Sequence, residues 1–173
     1  GALSSGRDFE FPELATPPSV DMGRLNPGFD GRSNRADGFE AFTVQGRAWA
    51  GAFSAQWLLN SRTKRFPVGT FSTALNDDRT YNSDTRGVFE LRFEPRLGDH
   101  FQLFTRAAFN HYNFIGSYSY GGDDARSTFG RERFLGSWAL AEARLAWSPA
   151  AWFRLMIGAE AQYHFQAQQR GES

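Results

Sequence analysis

Cysteine is missing altogether from the 173 residues. That removes disulfides, thiolate catalysis and zinc–thiolate sites. Charge imbalance is missing too, since 19 Lys and Arg offset 19 Asp and Glu. A nucleic-acid binder shows a basic excess or stripe, so nucleic acid is not an expected partner. No run of about 18 apolar residues occurs, which excludes a spanning helix. Gly1 and Ala2 begin no charged-then-apolar leader, so any secretion signal is expected to be removed or to lie outside this stretch. There is no G-x-S-x-G, H-E-x-x-H or P-loop pattern. The reading therefore assigns no catalytic residue, no cofactor and no metal.

What remains is rich in aromatics and glycine: 16% Phe, Trp and Tyr, with 18 Gly. The organising stretch runs from Phe53 to Leu97, a strand, a long polar excursion and a second strand. On the second strand Phe89, Leu91 and Phe93 alternate with Glu90, Arg92 and Glu94. Period two is the signal of a half-buried strand. Its polar face carries full charges of both signs, which suits a transmembrane barrel with apolar residues outside and a wet lumen.

The pattern recurs along the chain. A first hairpin is predicted from Phe39 to Trp49 and from Phe53 to Asn60, a second from Thr85 to Leu97 and Phe101 to Phe114. A third pairs Phe134 to Trp147 with Ala151 to Phe165. Links inside hairpins are short, whereas Asn60 to Arg86 and Asn113 to Arg133 are long. That asymmetry predicts an all-β fold: an antiparallel up-and-down transmembrane β-barrel fragment of about six long strands in three hairpins, with short periplasmic turns and long extracellular loops. Residues 1–37 hold four of the seven prolines and read as an irregular loop segment, or as the end of a strand plus an extracellular loop. Residues 38–165 are the partial barrel domain, and 166–173 a polar tail or the start of the next loop.

Six strands are fewer than the roughly eight of the smallest outer-membrane barrels. The chain is thus expected to be an arc completed by other strands. Glu90, Arg92, Glu94, Arg106, Glu142, Arg144, Arg154 and Glu160 share the expected lumen-facing parity.

Several motifs also resemble a family. Ser61 to Glu94, with Phe66, Pro67, Val68, Gly69, Thr70 and Phe71, then Leu75 to Arg79, then Asp84 to Arg92, is similar to the barrel region of TonB-dependent outer-membrane receptors. Asn110 to Tyr120, Ser137 to Leu145 and Gly158 to Gln162 resemble later strands of that family, and Arg7 to Leu14 the loop before the hairpin. Asp78 stands where the family has proline, and Gly69 also departs from its pattern. The resemblance implies a barrel of about 22 strands in the bacterial cell outer membrane. It further implies an N-terminal plug domain, and coupling to the TonB complex through a TonB box that is missing here. The function implied is active uptake of a scarce bulky ligand such as a ferric siderophore, an iron-transport role. Its partners would be outer-membrane lipid, the plug and the remaining barrel strands. Two alternatives stand beside it: an outer-membrane structural or adhesive β-barrel without energised transport, and a soluble all-β binding module.

Ligand contacts are sought on the loops. Lys64, Arg65 and Arg79 could meet an anionic ligand, and Tyr118 and Tyr120 could offer flat contact surface. Asn76, Asp77, Asp78, Asp84, Asp123 and Asp124 supply hard oxygen atoms without the spacing of a calcium loop. His100, His111 and His164 are scattered over different strands.

Overall fold

The computed structural model describes residues 1–5, 8–15, 30–33, 37–66, 69–75, 77–120 and 128–172. Asn76, Asp123, Asp124, the Pro67–Val68 part of the family-like motif and most of the proline-rich opening lie outside the described residues.

Alternation of apolar and polar residues makes long strands. These are β1 (Ala2–Ser5), β2 (Phe9–Glu10), β3 (Arg32–Ser33), β4 (Phe39–Ala50), β5 (Phe53–Arg65), β6 (Tyr81–Phe93), β7 (Phe101–Tyr120), β8 (Thr128–Ala150) and β9 (Phe153–Glu172). Seven of them form one antiparallel sheet in the order β1-β4-β5-β6-β7-β8-β9, while β2 and β3 pair separately. Tight turns at Gly51 and Gly98, both in the left-handed region, close two of the hairpins. Glycine reaches that conformation without a Cβ penalty.

Strands β5 to β8 run further than hydrophobic alternation alone indicates, because their last turns toward the loop end are polar. Ser61 pairs with Thr85 and Thr63 with Ser83 through hydroxyl contacts of 3.2 and 3.0 Å. Small hydroxylated side chains on facing strands satisfy one another and keep the ladder going.

Register sorts the side chains onto two faces. One carries Val44, Trp57, Leu59, Phe89, Leu91 and Phe109, of which Val44 and Leu91 are about half exposed. The other carries Gln56, Glu90, Arg92, Arg106, Glu142 and Glu160. Buried apolar side chains are few among the described residues: Ala74, Leu75, Tyr118 and Ala146. Cohesion therefore comes mainly from the backbone ladder and cross-strand pairs, each pair contributing roughly 0.2–1 kcal/mol. Close fits contribute as well. The Trp57 ring lies over its cross-strand partner Gly46, where a Cβ would sit 2.2 Å from the indole.

The all-β class holds, but the barrel does not. Among the described residues no pairing joins β9 to β1 or β4, so the sheet is open with two edges. In hydrocarbon each unpaired backbone group costs several kcal/mol, so a sheet spans a membrane only when closed. Among the described residues the outward groups of β9 have no such partner. This corrects the expectation of an up-and-down transmembrane barrel fragment with periplasmic turns and extracellular loops. Outer-membrane lipid, a plug domain, remaining barrel strands, the TonB complex and an outer-membrane location were expected with it and are set aside for the same reason. With no lumen, the eight charged residues expected to line one are side chains on the polar face of an open sheet.

Candidate functional site

Two polar assemblies stand out, on opposite faces and at different heights of the sheet. The first is a ladder of charge across the middle. Register aligns Arg92, Arg106, Glu142 and Glu160 in one row on β6, β7, β8 and β9, with Glu90 one step away. Arg106 is the hub. Its guanidinium lies 3.6 Å from Glu90, 2.9 Å from Glu142 and 3.4 Å from Glu160. The contact from Nε to Glu142 has ion-pair distance without hydrogen-bond alignment. Arg92 Nε donates to Glu90 Oε1 at 2.6 Å, Gln56 Nε2 donates to the same oxygen at 2.7 Å, and Arg144 pairs with Glu142. Three arginines meet three glutamates, and Glu90 and Glu142 keep under a tenth of their side-chain surface exposed. A small pocket of about 210 Å³ opens beside this row, lined by Glu94, Phe104, Arg106 and Arg144 among others. Of the charges that line it, Arg92, Arg106, Glu142 and Arg144 are already paired.

The second assembly is a cleft at the loop end of the opposite face. Its volume is about 610 Å³, and Thr63, Arg65, Asp78, Arg79, Tyr81, Ser117, Phe129 and Arg131 line it. Arg65, Tyr81, Ser117 and Arg131 occupy one cross-strand row of β5, β6, β7 and β8. Thr63 and Phe129 come from β5 and β8, and the segment between β5 and β6 supplies Asp78 and Arg79. Ala74 N–H donates to the Ser119 carbonyl at 2.8 Å, and Ser119 N–H donates to Thr80 Oγ1 at 3.1 Å. Ser119 Oγ donates to Asp77 Oδ2 at 2.6 Å, so β7 holds the loop by backbone and side chain alike. Thr80 and Ser119 are fully buried in this seam.

Asp77 in turn fixes Arg79, whose Nε donates to Asp77 Oδ1 at 2.7 Å. That hydrogen bond is the main reason the Asp77 carboxyl drops from an ordinary 3.8 to about 2, with Ser119 and the Arg79 backbone N–H adding to it. The same bond raises Arg79. Arg79 also lies over the Phe129 ring at 4.5 Å, a cation–π contact that presents a flat, cationic wall.

The cations of the cleft are not matched as those of the ladder are. Arg65 reaches Glu40 only at 3.9 Å. Arg131 faces Glu172 across β8 and β9 but forms no ion pair among the described residues.

Of the loop residues singled out in the sequence, Arg65 and Arg79 meet in this cleft and the others do not. Lys64 points to the opposite face and pairs with Asp37. Tyr118 and Tyr120 also belong to that face. Tyr118 is buried, its ring 5.6 Å from Phe71 and packed over Gly116, and Tyr120 covers Gly130 of β8. Burial, with Glu132 and Tyr120 nearby, raises the Tyr118 hydroxyl.

Six of the eight charged-face residues converge in the ladder; Glu94 sits at its rim, and Arg154 lies lower, near His100 and Ser148. Asp84 accepts a 2.9 Å hydrogen bond from the Tyr112 hydroxyl. His111 lies 2.8 Å from Ser137, whereas His164 stacks on Trp138. Among the described residues no group of three or more His, Asp or Glu converges as a metal site would need. Sequence reasoning missed Arg131, Phe129 and Tyr81. Extending the parity of β8 back from Phe134 would have placed Arg131 and Phe129 on one face.

Comparison with known proteins leaves the chain unassigned: no family model, no curated protein and no solved structure matches it. The similarity of Ser61 to Glu94 to TonB-dependent receptors thus has no family match behind it. Receptor, transport and iron-uptake roles drawn from that similarity are withdrawn. The class that fold and cleft define is an open antiparallel sheet with a polar cleft at its loop end.

Proposed function

We propose that the chain is an all-β binding module, acting by recognition rather than catalysis, whose ligand is an acidic saccharide held in the cleft at the loop end. The observation that carries this reading is the set of three arginines around one cleft, with Arg131 forming no ion pair among the described residues. Planar guanidinium groups take carboxylates or phosphates in two parallel hydrogen bonds. The Tyr81 hydroxyl and the Asp78 carboxylate add a donor–acceptor and an acceptor, which suit sugar hydroxyls. The Phe129 ring supplies an apolar surface for a sugar face. A cleft of this size takes one or two rings of a sugar chain, within the usual range for ligand sites of roughly 300–1,000 Å³.

The test is titration calorimetry with tri-galacturonate and with a neutral trisaccharide. Saturable binding of the acidic sugar alone, weakened about tenfold by Arg131→Ala, is the expected result, the size of one charge-assisted contact. Equal binding of both sugars, binding of neither, or indifference to Arg131→Ala would overturn it.

A further inference from the structure

Strand β9 leaves a second feature unused. Among the described residues this twenty-residue strand pairs with β8 alone, so its opposite edge offers an unmatched row of backbone donors and acceptors. Natural sheets blunt such edges with proline, lysine, bulges or covering segments. The upper part of β9 has one of these devices: a register shift sets Phe165 out of the ladder between His164 and Gln166. From Phe153 to Ala161 the strand has no proline or lysine, and from Leu155 to His164 its register on β8 is regular.

The charge ladder ends at this same stretch. Glu160 is its last carboxylate, and its side chain is 49% exposed where that of Glu142 is 9% exposed. Its Arg106 contact lies on the β7–β8 side, so the outer side of the carboxylate faces the open edge. Arg154, six residues earlier on the same strand and the same face, is exposed and has no ion pair among the described residues.

We propose that the lower half of β9 is a self-association edge, which pairs antiparallel with β9 of a second copy about a two-fold axis at Ile157. In that register Arg154 of each copy lies directly opposite Glu160 of the other. Leu155 meets Ala159, Met156 meets Gly158, and Phe153 meets Ala161. The row of alternating charge then runs on across the junction, and both copies keep their apolar residues on the same face. A two-fold contact must be self-complementary, and the Arg154–Glu160 spacing makes it so. Pairing stops before the bulge at Phe165, which is why the register uses the lower half alone.

Sedimentation and cross-linking of the 173-residue chain test this. The wild-type chain is expected at twice its 19.5 kDa mass. Arg154→Glu and Glu160→Lys should each weaken the dimer by about tenfold or more, because each places like charges opposite one another twice. Mixed together, the two variants should recover a heterodimer, since both facing pairs are then of opposite sign. Should Glu160→Lys disturb the ladder within its own chain, Ile157→Cys gives an independent reading. The chain has no other cysteine, and facing residues of an antiparallel pair lie within about 4.5–5.5 Å, inside disulfide range. Oxidation should therefore cross-link I157C, and not Ile157→Ser. A monomer at every concentration would overturn the proposal. So would a dimer indifferent to the charge swaps that fails to cross-link through I157C, because its contact would lie on another surface.

Discussion

The ladder and the cleft use the same residue types for opposite ends. In the ladder each arginine has a glutamate partner, Arg106 across strands and Arg92 and Arg144 on their own, Glu90 and Glu142 are nearly buried, and three cations match three carboxylates. In the cleft one arginine is locked by Asp77, one is held loosely by Glu40, and one is unpaired among the described residues. Buried ion pairs are satisfied internally because an orphaned charge there is costly. An exposed arginine without a partner costs little and remains available. Pairing, rather than arginine count, separates the part of the sheet that holds the fold from the part that can recognise.

The largest effect expected from breaking this contrast is at the hub. Arg106→Ala leaves Glu90 and Glu142 nearly buried without their shared cation, and should lower stability by about 3 kcal/mol in urea denaturation. Next is the seam between loop and sheet. Asp77→Ala removes the acceptor of both Arg79 and Ser119, and should cost about 2 kcal/mol, read as faster hydrogen exchange of the Ala74 and Ser119 amides. Acid should act at the same point. The Asp77 carboxyl lies below its ordinary value, so its stabilisation is complete above about pH 4. It is lost as pH falls toward about 2. Amide exchange at Ala74, followed against pH, should show that loss; no change down to pH 2 would contradict it. Smallest in stability is Arg131→Ala, expected within about 0.5 kcal/mol of the parent because among the described residues that exposed side chain makes no ion pair or hydrogen bond. If Arg131→Ala proved as damaging as Arg106→Ala, the distinction between the two assemblies would fail.

Much of this was legible in the alternation of residues and some was not. Phe89, Leu91 and Phe93 against Glu90, Arg92 and Glu94 place a strand and assign its faces, because side-chain direction in a strand is local. The three hairpins follow from the same rule and the turn residues between them. Closure is not local. Whether β9 has a neighbour depends on groups far away in sequence, and the same alternation suits an open sheet and a barrel equally. The expected barrel, and the receptor resemblance built on it, failed at that step. Arg65 and Arg79 were found as loop cations, but Arg131 was not, because polar ends of strands lose the hydrophobic period while keeping their register. Tyr118 and Tyr120 were misleading for a related reason. They were read as flat contact surface on a loop, whereas in the sheet their rings fill the spaces over Gly116 and Gly130.

The most direct measurement is an NMR titration of the arginine Nε–H signals with tri-galacturonate. Shifts confined to Arg65, Arg79 and Arg131, with Arg92, Arg106 and Arg144 unmoved, are the predicted result. Shifts at the ladder arginines, or none at the three cleft arginines, would contradict the division of the sheet into a paired frame and an open site.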